Sequence, residues 1–462
     1  FNSFCIRNGE EKVMDPACGG GTFLVRAYAR KREINPAQKH GQILSDLYGV
    51  DVSHFATHLT TINLATRNLV QEENYPQIAR NDFFDISAHS TFITLPKGIE
   101  SKGLGSSQRR KVEIPPLDAI IGNPPYVRQE EIPKAPKKAR NNPPSGTKEY
   151  YLRVVHGESS AQLSGRSDLH CYFWPHAASF LKNNGYLCLL TSSQWLDVEY
   201  GFRLQEWMLG NFRIIAVFES IDEPWFVGAR VATTVTILQK ETDESARMNN
   251  IVRFVQLRRP ISEILAHDGT TAGAVTVADL FRDEILSLDG NCRNERFRAR
   301  LIRQGDLWDD GVRLSGIMSK SQQAEGNDDD DSEEEVQQIQ SGGYFGGKWG
   351  VFLRAPDLWF KLIDELGDKL VPLNQIVQIH RGITSGKDSF FFPNDYSTEC
   401  LQSHPQPEEF HLHFGVSRRE VESGEVKLVR CGDKRGIIMP IESKYLEPEV
   451  HSLMEIDGFT VT

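Results

Sequence analysis

The stretch Asp15-Pro16-Ala17-Cys18-Gly19-Gly20-Gly21-Thr22 leaves a short apolar run, residues 12–14, and opens onto an amphipathic segment, residues 22–32. A glycine-rich turn between strand and helix lets backbone approach a ligand where side chains would collide. Working outward, residues 47–50, 119–122, 186–191 and 214–218 read as further apolar strands, while residues 54–69 and 169–182 have helical apolar spacing. The alternation predicts an α/β fold with a doubly wound, mostly parallel sheet. Residues 232–239 follow the last of these strands without an intervening helix, so an antiparallel strand is expected at one edge of the sheet.

The chain has 462 residues, enough for two domains with separate cores. Its seven cysteines are scattered and contain no C-x-x-C pair, so reduced thiols, a cytoplasmic location and no metal site are expected. No apolar run is long enough to span a bilayer, and no membrane partner is expected. The net charge of −11 argues against indiscriminate nucleic-acid binding, but seven acidic residues lie in residues 328–331 and 333–335 alone. Local basic surface therefore remains, with Arg109-Arg110-Lys111 and residues 134–140 as candidates. Residues 321–343 are too polar to pack and read as a disordered insertion near a domain boundary. The expected division is 1–240, 241–343 as a connecting region, and 344–462.

The chemistry-bearing residues fall in order along the first half. Asp15 at the first turn suits an ammonium group, which fits the methionine end of S-adenosylmethionine better than the pyrophosphate of a dinucleotide. Asp51, after the second strand, is placed to accept two ribose hydroxyls or to cap the following helix. Asp82 is placed to accept from an adenine amino group while Phe83 packs on the ring. After the strand at 117–122 comes Asn123-Pro124-Pro125-Tyr126. An exocyclic amine on a planar base is a weak nucleophile, because its lone pair is delocalised into the ring. The Asn123 side-chain oxygen and the Pro124 carbonyl would each accept one N–H and localise that pair, which is catalysis by positioning. The prolines stiffen the turn, and Tyr126 offers a flat face to a base flipped out of a duplex. Phe226 is the candidate for the opposite face. Asp168 and His170 read as the cap and first turn of the next helix.

These residues, in this order, resemble the amino-group DNA methyltransferases of the gamma arrangement, and within them the type IIG-like restriction-modification and phage-defence enzymes. The segments that carry the resemblance are residues 15–24, 48–51, 81–84 and 122–130, with Phe226; it is strong over residues 10–240 and weaker over 344–395. It implies a class I methyltransferase, Rossmann-like catalytic domain and an α+β target-recognition region at 344–462. It also implies S-adenosylmethionine as cofactor and adenine-N6 transfer on double-stranded DNA, with other restriction or defence subunits as further partners. By resemblance, Asp15, Ala17, Gly19, Gly21, Thr22, Phe23, Asp51, Asp82 and Phe83 bind the donor. Asn123, Pro124, Pro125 and Tyr126 form the acceptor loop, and Arg128, Phe226, Arg354, Arg381 and Lys387 contact substrate. The helix that precedes the donor motif in such enzymes is expected to be cut short before Phe1. Alternatives are cytosine N4, RNA or protein glutamine as acceptor, a specificity subunit whose methylation depends on partners, and a fused restriction enzyme.

Overall fold

The structure is a computed structural model describing residues 1–69, 74–96, 109–139, 141–221, 225, 232–266, 276–322, 343–371, 376–377, 392–430, 437–447, 456–457 and 460–461. The chain divides into two compact units, 1–370 and 371–462. The first unit contains β1 Val13–Asp15, β2 Leu47–Asp51, β3 Gln77–Arg80, the hairpin β4 Thr91–Pro96 and β5 Arg109–Glu113, β6 Leu117–Gly122, β7 Leu181–Ser192, β8 Phe212–Ser220, β9 Thr233–Lys240, β10 Ile251–Leu257, β11 Cys292–Arg293 and β12 Phe297–Arg303. Its helices are α1 Asn2–Cys5, α2 Thr22–Ile34, α3 His40–Ser45, α4 His54–Ala65, α5 Lys148–Ser159, α6 Leu169–Phe180, α7 Glu199–Asn211, α8 Glu244–Met248, α9 Ile261–Ile264, α10 Val277–Leu286, α11 Gln304–Gln322, α12 Gly350–Arg354 and α13 Asp357–Leu366.

Ten of the strands form one sheet in the order β11-β12-β10-β8-β9-β7-β6-β1-β2-β3. Neighbours from β3 through β7 run parallel, as do β8 and β10. This is the α/β class read from the sequence, with one displacement. The strand at 232–239 does not lie at an edge; β9 sits inside the sheet, antiparallel to both β7 and β8. The reason is that α8 turns the chain back and lays β10 along the far side of β8. The antiparallel edge is supplied instead by β12 and β11.

Strand periodicity explains the two cores. On β6, Ile120 faces one core while Ala119 and Ile121 face the other, and Leu187 and Cys188 divide in the same way on β7. Helices α5, α6, α7 and α12 cover the first face; α1, α2, α3 and α10 cover the second. Phe218 is fully buried on this second face against Phe1, Phe4 and Phe281, a burial that contributes about 3 kcal/mol at most. Two buried polar contacts tie α10 to α2: Arg30 donates to both carboxylate oxygens of Asp279, at 2.7 and 2.5 Å. Asp279 also completes a capping box with Thr276. Although burial pushes the Asp279 carboxyl up, its bonds to Arg30 and Thr276 bring it down to about 2.

Residues 241–343 are not merely a connection, since they supply β10 to β12 and α8 to α11. The boundary expected at 344 also moves. Tyr344 donates to Gln205 at 3.0 Å, the Trp349 N–H to Leu196 O at 2.9 Å, and Trp349 and Leu353 are buried in the first core. These apolar side chains hold residues 344–370 in the first unit. Most of the acidic insertion lies outside the described residues.

The second unit has an antiparallel sheet, β13 Asn394–Asp395, β14 Val426–Arg430 and β15 Ile438–Glu442. Helices Ser397–Ser403, Pro407–Phe414 and Arg418–Glu422 pack on it around Cys400, Phe410, Val421 and Leu428. This is the α+β composition expected at the C-terminal side. Among the described residues, no helix is long and apolar enough to cross a membrane.

Candidate active site

The sheet reverses its order at β1, which pairs with β2 on one side and β6 on the other. In open α/β sheets, ligands bind at such a switch point, outside the carboxyl ends of the strands. Asp15 ends β1 and Asn123 follows β6, so the two halves of the candidate site meet there.

Asp15 is fully buried. Its Oδ1 accepts from the Ala17 N–H at 3.1 Å, and its Oδ2 has no hydrogen-bond partner among the described residues. Burial pushes the Asp15 carboxyl up to about 7; the Ala17 N–H opposes this and the nearby Asp51 charge adds to it. A Cβ on Gly122 would stand 2.6 Å from Asp15 Oδ1 and 3.1 Å from Pro16 Cδ. Glycine is therefore needed where the acceptor strand crosses the donor turn, and the carboxylate lies against the residue just before Asn123.

The glycine turn is held from outside. Gly19 and Gly21 have φ of +51° and +83°, the left-handed region that glycine enters without strain. The space where a Gly19 side chain would stand is open, whereas a Cβ on Gly21 would meet Thr60 at 2.9 Å. From α4, Thr60 Oγ1 donates to Gly19 O at 2.6 Å and Asn63 Nδ2 to Gly20 O at 2.8 Å. Neither residue was singled out from the sequence, although both lie on the polar side of the 54–69 periodicity. Thr22 begins α2 and is exposed; Phe23 and Ala17 are half-buried against the cores.

Asp51 accepts from the Gly19 N–H at 2.9 Å and the Ser53 N–H at 2.8 Å, and retains lone pairs for a ligand. It does not cap α4; that role falls to Ser53, whose side chain accepts from Ala56 N. The Asn81 N–H donates to Asp51 O at 3.1 Å, which places the Asp82 turn beside Asp51. Asp82 caps a short 3-10 turn by accepting from Phe84 N at 3.0 Å, and burial raises its carboxyl. Phe83 does not offer the ring face expected of it. It is buried, stacked with Phe173 and Phe180 at 5.6 and 5.4 Å, and its carbonyl bonds buried His176 at 2.8 Å. The aromatic preference for a core won over exposure. An exposed apolar side chain at this edge is Val52, directly after Asp51.

In the acceptor loop, Pro124 is buried and Pro125 exposed, with Asn123 and Tyr126 half-buried. The Tyr126 hydroxyl donates to Asn123 Oδ1 at 2.6 Å and also lies 3.2 Å from Leu190 O. Burial raises its pKa. The loop is pinned by α6: the Leu169 N–H donates to Val127 O at 3.0 Å, and Asp168 accepts from the Gln129 N–H and the Tyr200 hydroxyl, both at 2.9 Å. Asp168 thus stands at the cap position but spends its carboxylate on the acceptor loop. His170 is fully buried and held neutral, its pKa lowered by burial to about 3. Its ring lies edge-on to Tyr126 at 6.4 Å, and its Nε2 has no partner among the described residues.

The remaining substrate candidates divide. Arg128 is exposed beside the loop. Arg354 is committed elsewhere: it bonds both oxygens of Glu219 at 2.7–3.2 Å, Asp197 at 2.5 Å and Ser193 at 3.0 Å. That network spends its donors on buried Glu219 and partly exposed Asp197 of the first unit, so the expected DNA contact is corrected to a structural tie. Phe226, Arg381 and Lys387 lie outside the described residues. Arg109, Arg110 and Lys111 are exposed on β5.

Comparison with known proteins matches residues 45–226 to the Eco57I restriction-modification methylase family. The type II methyltransferase M.XamI of Xanthomonas campestris pv. amaranthicola is 32% identical over 171 residues, covering 36% of this chain and 28% of the relative. The type II methyltransferase M.PaeR7I of Pseudomonas aeruginosa is 24% identical over 245 residues, covering 52% and 37% respectively. The chain therefore spans well under half the length of these relatives. Among solved structures, the type IIG restriction endonuclease BpuSI aligns with a TM-score of 0.44 at 12% identity, over 80% of this chain and 37% of that one. Asp51, Asp82 and the Asn123–Tyr126 loop all fall inside the stretch that is similar to the Eco57I restriction-modification methylase family.

Proposed function

We propose that this chain transfers the methyl group of S-adenosylmethionine to the N6 amine of an adenine flipped out of double-stranded DNA, within a restriction-modification or phage-defence system. The observation that carries the reading is the fully buried Asp15 carboxylate, with one oxygen unpartnered, packed against the glycine that precedes Asn123. An orphaned carboxylate at the switch point fits an ammonium group, and the open space above Gly19 admits a ligand. Asp51 would hold the ribose and Asp82 the adenine amino group, with Val52 in place of Phe83 as the apolar contact.

Bound S-adenosylmethionine supplies an electrophilic methyl on sulfur. The rest is done by the chain. Asn123 Oδ1 and the Pro124 carbonyl accept the two N–H bonds of the target amine and aim its lone pair. As the N–C bond forms, the S–C bond breaks, and the methylated amine then loses a proton to solvent. Tyr126 must first give up its bond to Asn123, which frees both the acceptor oxygen and the tyrosine ring for the base. Arg128 and the basic β5 strand lie ready for phosphates, and the second unit, whose span includes Arg381 and Lys387, is assigned to target recognition.

Long-read detection of modified bases in DNA from a methylation-deficient host expressing the full-length parent tests this. The expected result is N6-methyladenine at one sequence, absent with Asn123→Ala. Cytosine N4 modification, or labelled methyl entering RNA or protein but not DNA, would overturn the assigned acceptor.

A further inference from the structure

The other end of the same strands holds a second charged site. On the sheet face that packs against α1 and α10, the apolar row Cys188, Ile237, Ile215 and Val255 is followed two residues outward by Tyr186, Gln239, Arg213 and Arg253. Tyr186 pairs with Gln239, and Gln239 with Arg213, across β7, β9 and β8. Tyr186 is level with Ala119 on β6, three residues before the Gly122 end that carries Asn123. These residues, joined by Arg7, line a cavity of about 400 Å³ with no acidic side chain among the described residues of its wall.

Three guanidinium groups thus meet without a counter-charge. Among the described residues, none of Arg7, Arg213 and Arg253 forms an ion pair. The Nε atoms of Arg213 and Arg253 are buried without a hydrogen-bond partner. Arg253 spends its Nη atoms on the carbonyls of Ile251 and Leu286, at 3.0 and 2.8 Å, and these fix its orientation. Arg7 lies 5.1 Å over the Tyr186 ring. Burial and the neighbouring Arg213 both push the Arg253 pKa down, as expected where like charges are crowded away from water. Crowding like charges away from water is costly, and an anion held among the three guanidinium groups offsets that cost.

We propose that this cavity is a binding site for a small phosphate-bearing ligand, gripped by Arg7, Arg213 and Arg253 and separate from the methyl-transfer site. Planar guanidinium forks match oxyanions in pairs of bonds, and three such groups around one cavity favour a multiply charged phosphate, with oxygens for each, over a halide or a single carboxylate. The volume exceeds that of one phosphate and leaves room for a diphosphate or a mononucleotide. Gln239 in the wall is a neutral amide suited to the rest of such a molecule.

Calorimetric titration of the purified chain with pyrophosphate, at constant ionic strength and with acetate as control, tests the proposal. Saturable pyrophosphate binding is expected, weakened about tenfold by Arg213→Met and again by Arg253→Met. Affinity for S-adenosylmethionine is expected to be unchanged in both variants. Pyrophosphate is also expected to raise the melting temperature of the unaltered chain, a readout that needs no variant to fold. Adenosine monophosphate in place of pyrophosphate distinguishes a nucleotide from a free phosphate source. No saturable binding, equal binding by the double variant, or displacement of pyrophosphate by duplex DNA would each overturn a small-molecule site.

Discussion

The two ends of the central sheet carry unsatisfied buried charge of opposite sign. At the carboxyl ends of β1 and β6, a fully buried Asp15 keeps one oxygen free beside Asp51. At the other end of the neighbouring strands, Arg213 and Arg253 keep Nε groups free beside Arg7. A fold selected for stability alone would pair such groups or replace them with apolar ones. The contrast is one of sign: an orphaned carboxylate beside a second acid suits a cation at the first end, and three arginines around one cavity suit an anion at the second. Asn123, by contrast, is neutral and already occupied by Tyr126, as befits a group that acts on an uncharged amine.

The sharpest division is within the first end. Asn123→Ala is expected to cut methyl transfer by roughly a thousandfold or more, while S-adenosylmethionine affinity stays within about twofold. Equilibrium binding alongside turnover checks it, and a matching loss of donor binding would mean that the two halves of the site are not separable. Asp15→Asn should do the reverse, weakening the donor by about 30- to 100-fold through loss of a charge-assisted bond.

Asp15 also makes the two ends separable by pH. Its folded-state pKa is raised to about 7 from the ordinary 3.8, so the folded chain holds a proton that the unfolded chain has lost. Stability is therefore full below the unfolded value and falls as pH rises towards 7, by an amount on the order of 4 kcal/mol. Asp15→Asn, which has no charge to bury, should melt above the unaltered chain at pH 8, with the gap closing near pH 4. Donor binding runs the other way, weakening about fivefold from pH 7 to pH 6 in the unaltered chain as the carboxyl protonates, and staying flat in the variant. A melting gap that does not change with pH would remove Asp15 as the buried charge.

Much of this was legible in the sequence because it is local. The strand, turn and helix around residues 13–34 follow from apolar runs and glycines, and Asp51 closes the apolar run at residues 47–50. What was not legible depends on distant partners. The strand at 232–239 reads as an edge only if β10 is overlooked, and Phe297-Arg298-Ala299-Arg300-Leu301 hides its apolar face between arginines. Phe83 looks like a ligand platform until Phe173, Phe180 and His176 arrive from a helix some ninety residues on. Arg354 looks like a DNA contact because Glu219, its partner, lies 135 positions earlier.

Arg354 supplies the control for the orphaned arginines, since it is the satisfied case. Arg354→Met leaves Glu219, a mostly buried carboxylate, without its partner and should cost about 3 kcal/mol. Thermal or denaturant unfolding should show the loss, while DNA affinity and its salt dependence stay as they were. A reduced salt slope with unchanged stability would return Arg354 to the phosphate-binding set.

The smallest effects are expected from the side chains that shape the donor turn without touching its ligand. The second-end cavity takes Tyr186, Arg213, Gln239 and Arg253 from strand positions whose geometry the sheet fixes, whereas Gly19 and Gly20 depend on Thr60 and Asn63 reaching across from α4. Thr60→Val and Asn63→Ala each remove one hydrogen bond to a turn carbonyl, worth about 1 kcal/mol, so donor affinity should fall about fivefold in each. The two bonds hold adjacent peptide units of a single turn, so once either is lost the other has less order to protect. The double variant should therefore lose less than the product of the two single losses, a coupling that a double-mutant cycle of donor affinities measures. Strict additivity would mean that the turn keeps its shape without α4, and that the first end is as rigidly preformed as the second.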